Sequence, residues 1–226
     1  RGVVECFLEA KAVRSPSVQG LIDPLGQVTL VSTHDQVLGG PSGQIYLGCT
    51  FPADGAYRLA IQAEAAKAAR VLAERGVWGR FAVDFLSLDR GQGWEHYAIE
   101  INVRRGGTTY PYMMLQFLTD GRYNAETGLF ETPTGQTRCY HASDNLKKDA
   151  YRGLTPEDLI TLLVENGLIY LGVQQQGVVF HFIGALSEFA KLGILCVADQ
   201  PARAAELFDQ AVAVLDREAE RNALAL

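Results

Sequence analysis

Apolar and polar residues recur along the chain with the spacings that are typical of strands and helices. In the first half, Ile61, Ala65, Ala68 and Leu72 recur at helical spacing and predict one long helix, which Gly76 ends. Short β-branched or alternating runs predict strands, and segments with proline and glycine predict turns. The predicted order is a strand at 3–8 that continues as an extended run through residue 18, a turn at 23–26, a returning strand at 28–32, a loop at 39–43 and a helix at 54–75.

The second half mixes strands, helices and one long irregular segment. Residues 104–150 are rich in glycine and polar residues and predict long loops, which in a compact domain are usually functional. Thr155, followed by a proline and acids, predicts a helix start. The other predicted elements are strands at 81–86 and 94–103 joined by a loop at 89–93, a helix from 155 to near Gly167, a hairpin of 168–173 with 178–184, a short strand at 194–197 and an amphipathic helix at 201–221. This order predicts an α+β fold, an antiparallel sheet with flanking helices.

The strand pair at 81–86 and 94–103 separates apolar from polar side chains, because alternate residues of a strand share a face. A hairpin centred near Gly91 places Asp84 across from Ala98 and diagonal to Glu100. The predicted core-facing residues, covered by the helices at 54–75 and 201–221, are Phe81, Val83, Phe85, Tyr97, Ile99, Ile101 and Val103. The residues predicted on the opposite face are Arg80, Asp84, His96, Glu100, Asn102 and Arg104.

This polar face collects two carboxylates, an amide oxygen and two guanidinium groups. Such a set suits Mg²⁺ held against phosphates, since Mg²⁺ takes one or two carboxylates and lets substrate phosphates complete its octahedron. The arginines, Arg80 and Arg104, would bind phosphate oxygens and stabilise the charge that develops on them. The alternative is a solvated sheet face with surface ion pairs, which is common on antiparallel sheets.

Composition adds bounds to this picture. With 48% hydrophobic and 20% charged residues the 226-residue chain predicts a packed core, and its net charge of −6 argues against a general nucleic-acid binder. The four scattered cysteines predict reduced thiols in a cytoplasmic protein, with neither a zinc site nor a disulfide framework. The longest apolar stretch, 159–186, is interrupted by polar residues and predicts no membrane span. A homo-oligomer stays open.

Two segments of the strand pair carry a family resemblance. The strings are Gly79-Arg80-Phe81-Ala82-Val83-Asp84-Phe85-Leu86 and Tyr97-Ala98-Ile99-Glu100-Ile101-Asn102-Val103-Arg104-Arg105-Gly106-Gly107-Thr108-Thr109. They resemble the metal-binding core of ATP-grasp enzymes and, more narrowly, the carboxylate–amine ligases of the pheganomycin-type peptide ligase group. The resemblance implies ATP and two Mg²⁺ ions, with Mn²⁺ as an alternative metal. By position, Asp84 would bind the first ion, Glu100 both, and Asn102 the second, while Arg104 would neutralise the γ-phosphate or the acyl-phosphate oxyanion.

The start of the chain resembles the strand on which the adenine of ATP lies in this family. The resemblance implies that Glu5 and the backbone of Cys6 and Leu8 bind the base. Glu9 is the nearest acid for the ribose, although Ala12 stands at the best-aligned position.

The resemblance extends to residues near the phosphates and the carboxylate substrate. Arg14, in Arg14-Ser15-Pro16-Ser17-Val18-Gln19, would face either the phosphates of ATP or the carboxylate substrate. Gly106, Gly107 and Thr108, with Thr109, form either a plain turn or a loop of backbone donors near the acyl phosphate.

The implied domain is 1–226, the C-terminal metal- and adenine-site part of an ATP-grasp enzyme. The N-terminal domain and the mobile clamp, whose lysines hold the triphosphate, are expected outside it. The implied activity is ATP-dependent joining of a small-molecule or peptide carboxylate to an amine through an acyl phosphate. A non-catalytic nucleotide-binding module and phosphotransfer to a hydroxyl are the alternatives. Of the histidines, His34 is expected either in the substrate pocket or, more readily, at the surface or a strand end, and His181 is expected to be buried and hydrogen-bonded.

Overall fold

The computed structural model describes Cys6 and residues 8–224 as eleven strands, five α-helices and two short 3₁₀ segments. The strands are β1 Ala12–Arg14, β2 Pro16–Ile22, β3 Val28–Gly39, β4 Ile45–Phe51, β5 Gly79–Asp89, β6 Trp94–Asn102, β7 Arg122–Asn124, β8 Leu129–Glu131, β9 Thr137–Lys147, β10 Gly177–His181 and β11 Lys191–Ala198. The helices are α1 Arg58–Glu74, α2 Thr109–Thr119, α3 Pro156–Glu165, α4 Leu186–Phe189 and α5 Pro201–Leu224.

The strands form an antiparallel sheet that runs through the whole molecule. From β5 the order continues β2-β3-β4-β9-β11-β10, and the hairpin of β7 and β8 pairs with β9. Strands β1 and β2 lie end to end along one edge of β5, because Ala12 pairs with Asp89 while Ile22 pairs with Gly79. Strand β6 takes the other edge of β5. Because β4 pairs with both β3 and β9, it joins the two halves of the chain.

Three clusters of buried side chains attach the helices to this sheet. Helix α1 packs Tyr57, Ile61 and Ala65 against Phe81 and Phe85 of β5. The α2 cluster consists of Tyr112 and Leu115 with Phe51, Phe130 and Tyr140. Helices α3 and α5 share the third cluster with β11, which includes Leu159, Leu207, Leu215, Leu192 and Ile194. Burial of these apolar faces is the main favourable contribution to folding.

The structure confirms the predicted fold class, with its antiparallel sheet and flanking helices. It also confirms the strand pair, the turn after β2 and the helix ended at Gly76, whose φ is +77°. Thr155 caps α3 as predicted: its side chain accepts from the backbone N–H of Asp158, and the Asp158 carboxylate accepts from the backbone N–H of Thr155. No helix in the described part of the chain is both long enough and apolar enough to cross a membrane.

The prediction of long loops over 104–150 is wrong. That stretch contains α2 and three strands, of which β9 is an interior strand of the sheet. The helix forms because Tyr112 and Leu115 are buried against other aromatic residues, although Gly-Gly-Thr-Thr and a proline precede them. Tertiary packing here overrides weak local preference.

Three further predictions differ from the structure. Residues 168–173 do not form a strand: only isolated bridges occur there, and β10 pairs with β11. Helix α5 covers β9 and β11 and not the strand pair, because its buried residues pack in the cluster of the C-terminal half. Of the strand predicted at 3–8, residues 3–5 and 7 lie outside the described residues, while Cys6 and Leu8 have irregular backbone.

Candidate functional site

A bulge in the strand pair sets the geometry of the predicted metal ligands. The bulge lies between Asp84 and Phe85. On the N-terminal side of it in β5, Asp84 lies directly opposite Glu100 and Ala82 lies opposite Asn102. The predicted pairing of Asp84 with Ala98 is therefore wrong by two residues: the hairpin register is one residue away from the predicted one, since Leu86 pairs with Tyr97, and the bulge inserts one more. Directly opposite residues share a face with Cβ atoms about 5 Å apart, so the two carboxylates are closer than the predicted diagonal.

The same bulge places His96 on the other face of the sheet. His96 lies opposite Ser87, and its Nδ1 is 2.8 Å from the Ser87 hydroxyl. Its ring is 6.1 Å from that of Tyr57, which packs with α1. The prediction that His96 shares a face with Glu100 is therefore wrong.

Three residues of β6, and Val103 directly after it, are exposed, contrary to the core-facing prediction. Tyr97, Ile99, Ile101 and Val103 have exposed fractions of 38%, 54%, 48% and 49%. The reason is that β6 is an edge strand paired only with β5, and no described helix packs on these side chains.

The environment of Asp84 suits a bound cation. Asn102 Nδ2 donates to Asp84 Oδ2 at 3.1 Å. Burial raises the pKa of Asp84, and the neighbouring Glu100 carboxylate raises it further, while Ser17, Asn102 and Arg104 oppose the shift in part. A divalent cation between the two carboxylates would relieve this repulsion.

The donor set fits Mg²⁺. In the described residues there is no cluster of three or more His, Cys, Asp and Glu side chains that could hold a metal. Asp84, Glu100 and Asn102 offer two carboxylates and one amide oxygen, all hard oxygen donors. Mg²⁺ is held by one or two carboxylates together with substrate phosphates and water, whereas a site for a softer metal would need imidazole or thiolate.

A cavity of about 300 Å³ lies over these ligands. Along it, the structure brings together seven of the predicted site residues: Asp84, Glu100, Asn102, Arg104, Gly106, Gly107 and Thr108. Tyr46 and Asp144, which the sequence did not single out, also line it. Gly107 is required by close approach, since a Cβ there would lie 2.7 Å from the Tyr46 ring.

Buried Gln19 of β2 holds the loop that precedes α2. Its Nε2 donates to Thr108 Oγ1 at 2.7 Å, and its Oε1 accepts from Thr109 Oγ1 at 2.8 Å. Thr109 Oγ1 in turn accepts from the backbone N–H of Gly106 at 3.0 Å. These bonds fix the loop beside the metal ligands, at the positive end of the α2 dipole.

A second cavity of about 340 Å³ continues from the first. Both are lined by Tyr46, Arg104, Gly106, Gly107 and Asp144, so they form one groove. We call the part that only the second cavity contains the far end of the groove. It is lined by Arg105, Tyr110, Pro111, Ala142, Ser143, His181 and Phe182.

Two histidine predictions change with the structure. His34 is neither in the groove nor at the surface: it is fully buried and its Nε2 is 2.7 Å from the Tyr140 hydroxyl. His181 is buried as predicted, but neither ring nitrogen makes a hydrogen bond of ordinary geometry among the described residues, and only the nearby backbone of Ile194 acts on the ring.

Several predicted site residues do not line the groove. Arg80 lies opposite Leu21 and near Tyr112: burial raises the pKa of Tyr112, and the charge of Arg80 opposes that rise in part. Arg14 lies opposite Ser87, and its Nη1 donates to its neighbour Val13.

Of the predicted adenine-binding residues, Cys6, Leu8 and Glu9 do not line either cavity of the groove. Glu5 lies outside the described residues, whereas Cys6 and Glu9 are exposed and Leu8 is half-buried. The roles of these residues stay predictions.

Two family models match parts of this chain. A family model described as IQCH-like, ATP-grasp matches residues 1–126, more than half of the chain. The chain therefore belongs to this ATP-grasp family. A second model, the PGM1 C-terminal domain, matches residues 158–211.

Two sequence relatives cover different shares of the chain. This chain is 33% identical over 214 residues to the L-propargylglycine--L-glutamate ligase of Streptantibioticus cattleyicolor. The matched region is 94% of this chain and 42% of the ligase. This chain is 25% identical over 138 residues to IQ motif-containing protein H of Danio rerio, covering 60% of this chain and 13% of that protein. The chain thus spans less than half the length of either relative.

Solved structures share the fold. The phosphoribosylaminoimidazole carboxylase ATPase subunit from Aquifex aeolicus matches with a TM-score of 0.58 and 16% identity, over 94% of this chain and 58% of that chain. The N5-carboxyaminoimidazole synthetase from Staphylococcus aureus complexed with ADP matches with a TM-score of 0.57 and 15% identity. The match covers 93% of this chain and 52% of the synthetase chain.

Proposed function

We propose that this chain forms the metal- and acyl-phosphate-binding part of an ATP-dependent ligase that joins a carboxylate to an amine. The observation that carries the proposal is the pairing of Asp84 with Glu100, with Asn102 beside them, at one end of a groove that continues past Arg104 and the 106–108 loop. The 33% identity to an amino-acid ligase supports it.

The proposed reaction has two steps. A carboxylate oxygen of one substrate attacks the γ-phosphorus of ATP, the bond to the β–γ bridging oxygen breaks, and ADP leaves with the electron pair. The amine nitrogen of the second substrate then attacks the acyl carbon, and phosphate leaves with the electrons of the C–O bond. The nitrogen loses its proton to phosphate or solvent, which completes an amide or peptide bond.

The groove residues have separate roles in this scheme. Asp84, Glu100 and Asn102 would hold Mg²⁺, which when bound supplies Lewis-acid neutralisation of the phosphate charge. Arg104 neutralises the transferring phosphoryl group or the acyl phosphate, and the backbone N–H groups of Gly107 and Thr108 donate to its oxygens, while that of Gly106 is bonded to Thr109. A second ion, or Mn²⁺ in place of Mg²⁺, belongs to the same proposal.

The nucleotide's other contacts are proposed from the family resemblance. Glu5, Cys6 and Leu8 would bind adenine and Glu9 the ribose, while Arg14 and Arg80 would act on phosphate or the carboxylate substrate. We propose that residues 1–226 act as one domain. None of the five lysines of the chain lines the groove. We therefore propose that further cationic groups for the triphosphate come from outside this domain.

Replacement of Glu100 tests the proposal. In the complete polypeptide, Mg²⁺-dependent ADP release with a panel of carboxylates and amines should fall at least about a hundredfold in Glu100→Gln, because one phosphate-stabilising contact is worth several kcal/mol. The melting temperature should not change, since Glu100 is exposed.

Glu95→Gln is the matched control. Glu95 lies on the same strand and pairs with Arg90 at the surface, at 3.1 Å, away from the groove. Its variant should keep wild-type turnover, because exposed ion pairs contribute little. Wild-type turnover in Glu100→Gln would contradict the metal assignment. Phosphorylation of a hydroxyl compound without amide formation, or nucleotide binding without turnover, would contradict the ligase assignment.

A further inference from the structure

Three aromatic rings form a wall at the far end of the groove. The Tyr110 ring stacks on Phe182 with centroids 5.4 Å apart and lies 4.8 Å from His181. Phe182 is half-exposed although aromatic, and its φ of +53° is in the left-handed region, which costs energy for a residue with a side chain. The chain thus holds an apolar, partly open surface at the mouth of a cavity.

His181 is a buried imidazole whose hydrogen-bonding capacity the protein leaves largely unused. Its side chain lines the groove, the residue is only 6% exposed, and neither ring nitrogen makes a hydrogen bond of ordinary geometry among the described residues, although the nearby backbone of Ile194 acts on the ring. The ring fits because residue 193 is a glycine at a bulge between Leu192 and Ile194: a Cβ there would lie 2.0 Å from the imidazole. A buried polar group without a partner calls for an explanation, and a ligand in the groove supplies one.

Asp144 brings a negative charge to the junction of the two cavities. Its half-buried carboxylate lines both, and no hydrogen bond or ion pair to it is found in the described chain. Burial raises the pKa of Tyr46 and of Cys49, and the charge of Asp144 adds to both shifts, so this carboxylate lies near the groove wall. A free carboxylate in a confined groove is suited to a cationic group.

We propose that the far end of the groove binds the amine substrate as an α-amino acid or peptide N-terminus with an apolar side chain. Its amino group would lie between Asp144 and a ring nitrogen of His181, and its side chain against Tyr110 and Phe182. Asp144 is shared with the cavity of Arg104 and Gly107, so an amine held there adjoins the acyl-phosphate end of the groove. The inference rests on the proposed function only in naming this ligand the nucleophile.

Charge and size support this ligand. Burial lowers the pKa of His181 to about 4, an effect that the backbone of Ile194 opposes in part, so the ring is neutral near pH 7 and can accept a hydrogen bond. The carboxylate complements an ammonium group, and stacked aromatic rings bury apolar side chains. A volume of about 340 Å³ suits a ligand of amino-acid size.

Amine binding can be measured without ATP turnover, by NMR of the chain with isotopically labelled histidine rings. The His181 signals are assigned as those that disappear in His181→Gln. Titration with L-phenylalanine should shift them saturably. N-acetyl-L-phenylalanine, which keeps the side chain and carboxylate but lacks the positive charge, should bind at least tenfold more weakly.

Two isosteric variants sharpen the measurement. Asp144→Asn should weaken L-phenylalanine binding at least tenfold, whereas Asp149→Asn, an exposed residue outside the groove, should leave it unchanged. Absence of a shift with L-phenylalanine, or equal binding of the acetylated compound, would overturn the proposal. A chain that binds L-phenylalanine at His181 but whose complete polypeptide releases no ADP would retain the amine pocket and lose the ligase assignment, so the two proposals fail separately.

Discussion

At the scale of single residues, His34 is a buried histidine in the centre of the sheet. Its ring packs 5.3 Å from Phe51 and 5.9 Å from Tyr140, with no exposed surface. Burial lowers its pKa from 6.5 to about 3. The folded protein therefore keeps His34 neutral at a pH where the unfolded chain binds a proton.

This difference makes stability depend on pH. Because the folded-state pKa is lowered, His34 reduces the free energy of unfolding as the pH falls below 6.5, by about 1.4 kcal/mol per pH unit until its folded pKa is reached. We expect His34→Gln, which can still hydrogen-bond to Tyr140, to flatten the dependence between about pH 6 and pH 4. Urea unfolding at several pH values measures it.

The control is His96→Gln, at a less buried histidine whose pKa burial also lowers. Its curve should stay close to that of the wild type. The other two histidines, half-buried His141 and buried His181, remain in both variants, so the comparison isolates His34. Parallel curves for wild type and His34→Gln would contradict the prediction.

Some site residues could be predicted from the sequence and others could not. Asp84, Glu100 and Asn102 stand out because alternation on two neighbouring strands collects acids and an amide on one face. Gln19 carries no such signal, because its partners Thr108 and Thr109 are 89 and 90 residues away and meet it only after β2 pairs with β5. Asp144 was hidden for the same reason, on a strand whose neighbours are distant in sequence.

At the scale of elements, the contact between β4 and β9 joins the two halves of the sheet. Cys49 pairs with Ala142 there, and the Ser143 hydroxyl donates to the backbone carbonyl of Leu47. Gly48 lies so close to β9 that a Cβ would be 2.2 Å from the Ala142 carbonyl oxygen. No side chain fits without moving one strand.

Gly48→Ala should therefore separate the strands. We expect it to lower the free energy of unfolding by about 1–3 kcal/mol, as overpacking does in well-packed interiors. Urea denaturation measures the loss, and faster amide hydrogen exchange in β4 and β9 should localise it. Gly153→Ala, where a Cβ meets nothing within 4 Å, is the control and should change stability little. Equal stability of the two variants would show that β9 can give way.

Element boundaries were predictable where local patterns decide them. The capping box of α3 and the apolar spacing of α1 follow from neighbouring residues in sequence. The bulge between Asp84 and Phe85 does not, because the β-branched Ile99 fits either face of β6 and only the paired strand fixes the register. The sequence did not predict helix α2 because its stability comes from packing of Tyr112 and Leu115 on aromatic residues that are distant in sequence, and not from local helix propensity.

At the scale of the whole molecule, the groove combines two arginines with three carboxylates, those of Asp84, Glu100 and Asp144. The chain carries a net charge of −6, yet Arg104 and Arg105 line the groove that is proposed to take phosphate. The lysines lie elsewhere: Lys67 pairs with Glu64 and Lys148 with Asp216, both at the surface. Overall composition could predict a packed core, but it could not predict this local arrangement.

The affinity of the chain for ATP follows from this arrangement. Three packed clusters joined by one sheet should let the 226 residues unfold cooperatively on their own. The groove supplies metal ligands and arginines but no lysine for the triphosphate. Each missing charged hydrogen bond costs roughly 1.5–3 kcal/mol, so two missing lysines weaken ATP about a hundredfold or more. We expect a dissociation constant for Mg·ATP no better than about 1 mM.

Calorimetry measures this dissociation constant on the 226-residue chain and on the complete polypeptide, which should bind more tightly. Micromolar binding to the 226 residues alone would show that they already neutralise the triphosphate, and the proposed need for outside cationic groups would then be wrong.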